Sequence, residues 1–462
     1  MDDRLRPVYH FAAPANFTGD PNGAIVWNGV YHLFYQHNPD GAYDNPKRMH
    51  WGHASSRDLV HWDHLPIALA PQPDGPDRLG CYSGGAVDWN GIPTLVYYGS
   101  PDGICIATSS DGLRTWSRHA LNPVIKHPAN TGAQWRCWDP FAWRGTDAWY
   151  LICGGKIAGY GDTAFLFRSS DFTNWQYLHL LYEPGGETDC SVPDLFRLGD
   201  KHVLLFASHE RGAQYYVGEL HGEHFVPERH GRMNFGGFTL ESGTLAAPIT
   251  LRDEDDRRIM FGWVTEGRSE AAQRASGWSG VVCVPRLLGL RDDGNLSIDP
   301  VPELRELRGK RQRLGGVTIP TGSTVLLPNV CAISAEIDVR FDLSSANEIG
   351  ISVCCSRDHS EHTDIVYSRA QRTITLDPSV SSSSPEAVAR SVQCAPLELR
   401  PDEPLELRIF VDRSIIEVFA NSQQCVTQRV YPSDVEAGGV ALFSQAGDVV
   451  ARSIDVWQMR AI

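Results

Sequence analysis

Phe17-Thr18-Gly19-Asp20-Pro21-Asn22-Gly23-Ala24-Ile25-Val26-Trp27-Asn28-Gly29-Val30-Tyr31-His32-Leu33-Phe34-Tyr35-Gln36 alternates turn and strand twice. Pro21 fixes its own φ and biases Asp20 toward extended geometry. Asn22-Gly23 supports a tight reversal, and Asn28-Gly29 a second one. The apolar runs between them read as strands, so the stretch opens an antiparallel meander with Asp20 at its start. A carboxylate there can point into a shared cavity or cap a solvated turn.

The same punctuation of short apolar runs by Gly, Pro, Asn and Asp continues to about residue 295, for example around Thr94-Leu95-Val96-Tyr97-Tyr98 and His202-Val203-Leu204-Leu205-Phe206. Helical periodicity is almost absent. The pattern predicts an all-β chain: sandwich, barrel or propeller. Ser56-Arg57-Asp58-Leu59-Val60-His61-Trp62 recurs in outline at Ser110-Asp111-Gly112-Leu113-Arg114-Thr115-Trp116 and Ser170-Asp171-Phe172-Thr173-Asn174-Trp175. That spacing suits a propeller blade, with the Trp as a packing device.

A boundary follows. Residues 1–296 form the first domain. Residues 297–318 read as a linker with a short helix, from Pro300-Val301-Pro302 into the basic run Arg308–Arg313. Residues 319–462 return to alternating strands, such as Leu405-Glu406-Leu407-Arg408-Ile409-Phe410-Val411, and read as a β-sandwich without chemistry of its own.

The 462 residues call for two domains, and a formal charge of −15 argues against nucleic-acid or anionic-membrane partners. The first residues lack an apolar leader core, and no run is long enough to span a bilayer. The 11 cysteines form no regular framework and lie mostly inside apolar runs. Reduced thiols and cytoplasmic location are the expectation.

Three acidic sites stand beside prolines or aromatics at strand starts: Asp20, Asp139 in Trp138-Asp139-Pro140, and the cluster Glu187-Thr188-Asp189-Cys190-Ser191-Val192-Pro193-Asp194. The innermost strands of a propeller begin at the mouth of its channel, so these carboxylates would converge there. Converging carboxylates push one another's pKa values apart. An ionised nucleophile and a protonated acid are what glycosidic cleavage requires.

With these residues the chain resembles glycoside hydrolase family 32, the invertase, inulinase and levanase group. Asp20-Pro21-Asn22-Gly23 is similar to its nucleophile motif, His50-Trp51-Gly52-His53 to a segment that follows, Tyr82-Ser83-Gly84 to its Phe-Ser-Gly, and Trp138-Asp139-Pro140 to its Arg-Asp-Pro. Phe261-Gly262-Trp263 and Trp278-Ser279-Gly280-Val281 match later blades, and Asp412-Arg413-Ser414-Ile415-Ile416-Glu417 a signature of the C-terminal sandwich. The resemblance implies a five-bladed β-propeller followed by a β-sandwich. It implies a retaining β-fructofuranosidase acting on sucrose, fructo-oligosaccharides or fructans, with no cofactor. Asp20 would be the nucleophile, Asp139 the transition-state stabiliser, and Asn22, Gln36, Trp51, Tyr82, Ser83, Arg136, Trp138 and Trp263 substrate-binding residues.

Departures are concentrated at the pocket. Phe17-Thr18-Gly19 replaces Trp-Met-Asn, and Trp138 replaces Arg, with Arg136 the candidate substitute. The Glu-Cys-Pro-Asp acid motif carries two extra residues. Alignment on Cys190 makes Asp189 the acid, a bulge would present Glu187, and counting back from Pro193 puts Ser191 there. The alternatives are therefore a fructosyltransferase, including one forming dianhydrides, a glycosidase for another furanoside, or a sugar-binding protein without turnover. Zinc at His50/His53 or His61/His64 is disfavoured; the first pair lies on a strand, where positions i and i+3 face opposite sides. Cys190 lacks a base that would make it a nucleophile. Glu241 and Glu266 read as solvated or packing residues.

Overall fold

A computed structural model describes residues 3–45, 48–127, 136–157, 159–186, 188–343, 346–388, 391–445 and 447–462. Five sheets, each built mainly of sequential antiparallel strands, make a five-bladed propeller, and two six-stranded sheets make a C-terminal sandwich. The innermost strands of the blades are Asn16–Trp27, Gly80–Asp88, Arg136–Arg144, Ser191–Leu198 and Leu245–Arg252. The ring closes where Trp278–Ser279 runs parallel to Asn16 and Phe17, while Val281–Val282 pairs with Trp263 and Val264 of the fifth blade. Gly280 joins the two pairings at φ 65°, and a Cβ there would stand 2.0 Å from the Thr18 carbonyl oxygen. Only glycine fits such an approach.

The recurring Ser-Asp-Trp unit makes the same turn in three blades. Asp58, Asp111 and Asp171 each accept backbone N–H groups of the turn. Leu59, Leu113 and Phe172, fully buried, take left-handed φ values of 66°, 65° and 68°. Trp62 and Trp175 donate Nε1–H to the carbonyls of Leu59 and Phe172. Apolar burial holds a backbone conformation that side chains of this size ordinarily avoid.

Each innermost strand shifts register against its neighbour near its start: at Thr18/Pro21, Cys81/Gly84, Trp138/Pro140, Ser191/Asp194 and Ala246/Ile249. Such bulges re-aim a side chain out of the pleat. In three blades the residue before a proline takes positive φ: Asp139 (48°), Val192 (45°) and Ala247 (44°).

The expected linker is corrected. Leu296–Pro300 completes the fifth blade, Pro302–Leu307 is a 3-10 helix, and Arg308–Ile319 is an edge strand of the sandwich paired with Val449–Met459. Its basic residues project outward, and Arg308 and Arg311 lie over the Trp457 ring at 3.8 and 5.2 Å. Positive charge on an exposed edge discourages pairing with other chains, and it made this strand read as part of a linker. One α-helix, Glu270–Ser276, had no periodic signal; Ser269 caps its start and Gly277, at φ 73°, ends it.

The domains are joined by buried ion pairs. Asp412 of the sandwich accepts the backbone N–H groups of Val8, Tyr9 and His10, and His10 Nδ1 at 3.0 Å. Glu417 accepts His10 Nε2 at 3.1 Å, the Val284 N–H at 2.7 Å and the Arg286 guanidinium. The sandwich signature seen in the sequence is thus a clamp on the propeller. Glu266 is a second one: Arg268 and Tyr431 bond it, and Arg429 lies 3.9 Å away.

Of the described cysteines none is bonded to another; Cys331 and Cys394 are exposed and the rest buried. Among the described residues no helix is long and apolar enough to cross a membrane. No group of three or more metal-ligating side chains occurs among them either. His53 stacks on Phe34 at 4.0 Å and shares a hydrogen bond with His32, while His50 bonds the Arg48 carbonyl.

Candidate active site

The hub opens into a cavity of about 650 Å³ whose lining includes Asp20, Gln36, Tyr82, Ser83, Trp138, Asp139, Ser191, His209 and Trp263. Asp20 comes from the bulged first strand. Its Oδ2 accepts Ser83 Oγ–H at 2.6 Å and Gln36 Nε2–H at 3.1 Å. Gln36 Nε2 also reaches Ser83 Oγ at 2.6 Å. Burial pushes the Asp20 pKa up to about 6, against the Ser83 hydrogen bond, and Asp44 adds to the rise.

Asp139 faces the same cavity from the third blade, where its Oδ2 accepts the Val192 N–H at 3.2 Å. Burial, then the charge of Asp20, pushes its pKa up to about 7. Two carboxylates lining one hollow cannot both ionise freely at neutral pH. A folded-state pKa above the unfolded one means the ionised carboxylate costs stability above pH 7. The cost is relieved as pH falls from about 7 toward 4. Asp139→Asn is therefore expected to raise the melting temperature by about 2–4 °C at pH 8. The gain should fade by pH 5 in thermal melts; an equal gain at both values would refute a charge origin.

The fourth blade departs most from expectation. Asp189 is buried and does not line the cavity. Its Oδ2 accepts Ser191 Oγ–H at 2.9 Å and His209 Nδ1 at 2.6 Å, and its Oδ1 accepts the His209 N–H at 3.0 Å and the Thr188 hydroxyl at 3.2 Å. Burial pushes its pKa upward, but His209 outweighs this and holds the carboxyl below its usual range. Ser191 takes the cavity position one residue before Val192, as Trp138 does before Asp139, and accepts Trp138 Nε1–H at 2.9 Å. The strand thus follows the count back from Pro193. Glu187 lies outside the described residues, as does the side chain of Arg136.

Two other expected contacts point elsewhere. Trp51 is fully buried, with Nε1–H donated to the Tyr82 carbonyl at 2.9 Å. It packs against Phe34 and Tyr97 in the core between the first two blades. Asn22, also buried, receives the Gly84 N–H at 3.2 Å and donates to the Asp20 carbonyl at 3.1 Å, pinning the first two blades together. Trp263 does form a cavity wall, edge to face with Phe17 at 5.7 Å. His209 escaped sequence reasoning, because it simply follows the strand Lys201–Ser208 without a flanking proline. Its only signal was a histidine at the hub end of the blade that carries Asp189.

Half-buried carboxylates lining one sugar-sized hollow, in a five-bladed propeller that carries a β-sandwich, define a glycosidase. Residues 10–300 match the glycosyl hydrolases family 32 N-terminal domain, and residues 303–458 match the family's C-terminal domain. The chain belongs to glycoside hydrolase family 32. It is 33% identical to sucrose-6-phosphate hydrolase of Escherichia coli, over 98% of this chain and 94% of that one. It is 30% identical to levanase of Bacillus subtilis, over 100% of this chain and 71% of that one. The crystal structure of fructan 1-exohydrolase IIa from Cichorium intybus superimposes with a TM-score of 0.90 at 27% identity, covering 100% of this chain and 98% of that one.

Proposed function

We propose that the enzyme is a retaining β-fructofuranosidase that removes terminal fructose from sucrose, fructo-oligosaccharides or fructans. The observation that carries this is Asp20, held by Ser83 and Gln36, across one cavity from Asp139. Ser83 and Gln36 both bond Oδ2, which leaves Oδ1 to attack the anomeric C2 of a fructosyl unit. As that bond forms, the C2–oxygen bond to the departing sugar breaks, and the oxygen takes a proton from the fourth-blade side. Asp139 binds ring hydroxyls and favours the positively charged transition state. Water then attacks C2 and frees Asp20. Trp263 supplies an apolar wall for the furanose ring. The partners are fructose-containing sugars, and the buried thiols fit a reducing, cytoplasmic setting.

Incubation with sucrose, 1-kestose, inulin and levan is expected to release free fructose. With methanol present, two displacements at C2 should give methyl β-D-fructofuranoside. Formation of the α anomer instead would rule out the double displacement. Ser191 at the cavity favours one second reading, a binding protein without turnover. Calorimetric binding of 1-kestose with no product over the whole panel would establish it.

A further inference from the structure

We propose that His209 gives the leaving oxygen its proton and later takes one from water. This rests on the fructosidase reading of the cavity. The resemblance puts the acid on the fourth blade, yet Ser191 faces the cavity there, and an alcohol is too weak an acid to assist the departure of another alcohol; Glu187 lies outside the described residues. Asp189 is withdrawn behind it, and both its oxygens are occupied by Ser191, Thr188 and His209.

His209 is placed differently. Its side chain is 69% exposed and borders the cavity that holds Asp20 and Asp139. Asp189 takes its Nδ1 at 2.6 Å and its backbone N–H at 3.0 Å, which ties both the ring and its main chain to one carboxylate. Among the described residues nothing bonds Nε2, so that nitrogen is left for substrate. A carboxylate behind an imidazole sets the tautomer and stabilises the imidazolium. The bond from Asp189 raises the His209 pKa, burial opposes it, and the charges of Asp139 and Asp20 add to the rise. Glu210, next along the chain, is exposed. Asp189 therefore favours the imidazolium form of His209.

The steps balance. Asp20 attacks C2, the glycosidic electron pair goes to the departing oxygen, and His209 Nε2–H supplies its proton. Neutral His209 then removes a proton from water as the water oxygen attacks C2, which restores both the imidazolium and the Asp20 carboxylate. The sum is one glycoside and one water giving one alcohol and one fructose.

The test compares the parent, His209→Ala and Asp189→Asn on sucrose and on 4-nitrophenyl β-D-fructofuranoside, whose phenolate leaves without a proton. His209→Ala is expected to lower kcat/KM on sucrose about 10³-fold, yet on the aryl fructoside by no more than about tenfold. Its pH profile should lose the alkaline limb, and azide should restore turnover of the aryl substrate as the fructosyl azide. Asp189 is a positioning residue, so Asp189→Asn should keep that limb but move it about one unit lower. Turnover of the aryl substrate shows that the variants fold. An active parent with His209→Ala within threefold on sucrose, or equally impaired on both substrates, overturns the inference alone. So does the same leaving-group signature in Glu187→Gln. A parent inert on both fructosides overturns the reading of the cavity and this inference with it.

Discussion

Asp20→Asn is expected to lower kcat on sucrose and 1-kestose by on the order of 10⁴-fold or more, with the fold intact. The amide cannot form the covalent bond to C2, and no other described carboxylate lining the cavity is held by a serine and a side-chain amide. Its oxygen can still accept the Ser83 hydroxyl, which keeps the hydrogen bond across the first two blades. Removing a charge that burial disfavours also spares the folded state a cost. Circular dichroism and melting curves should match or exceed the parent's. Turnover within tenfold of the parent would eliminate Asp20 as nucleophile. The same chemistry sets the pH response. Asp20 is neutral below its pKa of about 6 and Asp139 below about 7, so kcat/KM of the parent should climb broadly between about pH 5 and 7.

Glu417→Ala is expected to destabilise the protein by about 3–5 kcal/mol, the usual result of stranding one half of a buried ion pair. Arg286 and Glu417 are both fully buried, and His10 bonds the same carboxylate, so truncation strips Arg286 of its only carboxylate partner among the described residues and leaves His10 with Asp412 alone. Burial alone would raise the Glu417 pKa; Arg286 and His10 outweigh it and hold the pKa at about 2. A depressed carboxylate contributes stability above its unfolded pKa and loses it as pH falls through the folded one. The gap between parent and variant should therefore hold from pH 5 to 8, narrow as pH falls below about 4.5 and close near pH 2. Denaturant unfolding measures it, and a loss under about 1 kcal/mol at pH 7 would show that the domains are held by apolar packing instead.

Much of this was readable in the chain. Strand-and-turn punctuation gave the all-β class, and prolines after Asp20 and Asp139 marked hub-facing positions because the bulges sit there. Strand alternation, however, reveals which face a residue takes, not which layer lies against it. Trp51 was thus expected at the sugar and is instead core, one strand removed from Gln36. The fourth blade was ambiguous for a related reason. Two extra residues permit three alignments of the acid, and only the backbone decides that Ser191 faces inward while Asp189 stands behind His209. Arg308–Arg313 looked like part of a linker because an edge strand turns its charges outward.

The repeated bulge has a wider implication. Aspartate, valine and alanine occupy the same left-handed seat in the third, fourth and fifth blades at nearly equal angles. The wheel's shape is thus indifferent to who sits there. A lineage built on this scaffold is free to move its acids from spoke to spoke, keeping the frame and rewriting the chemistry one seat at a time.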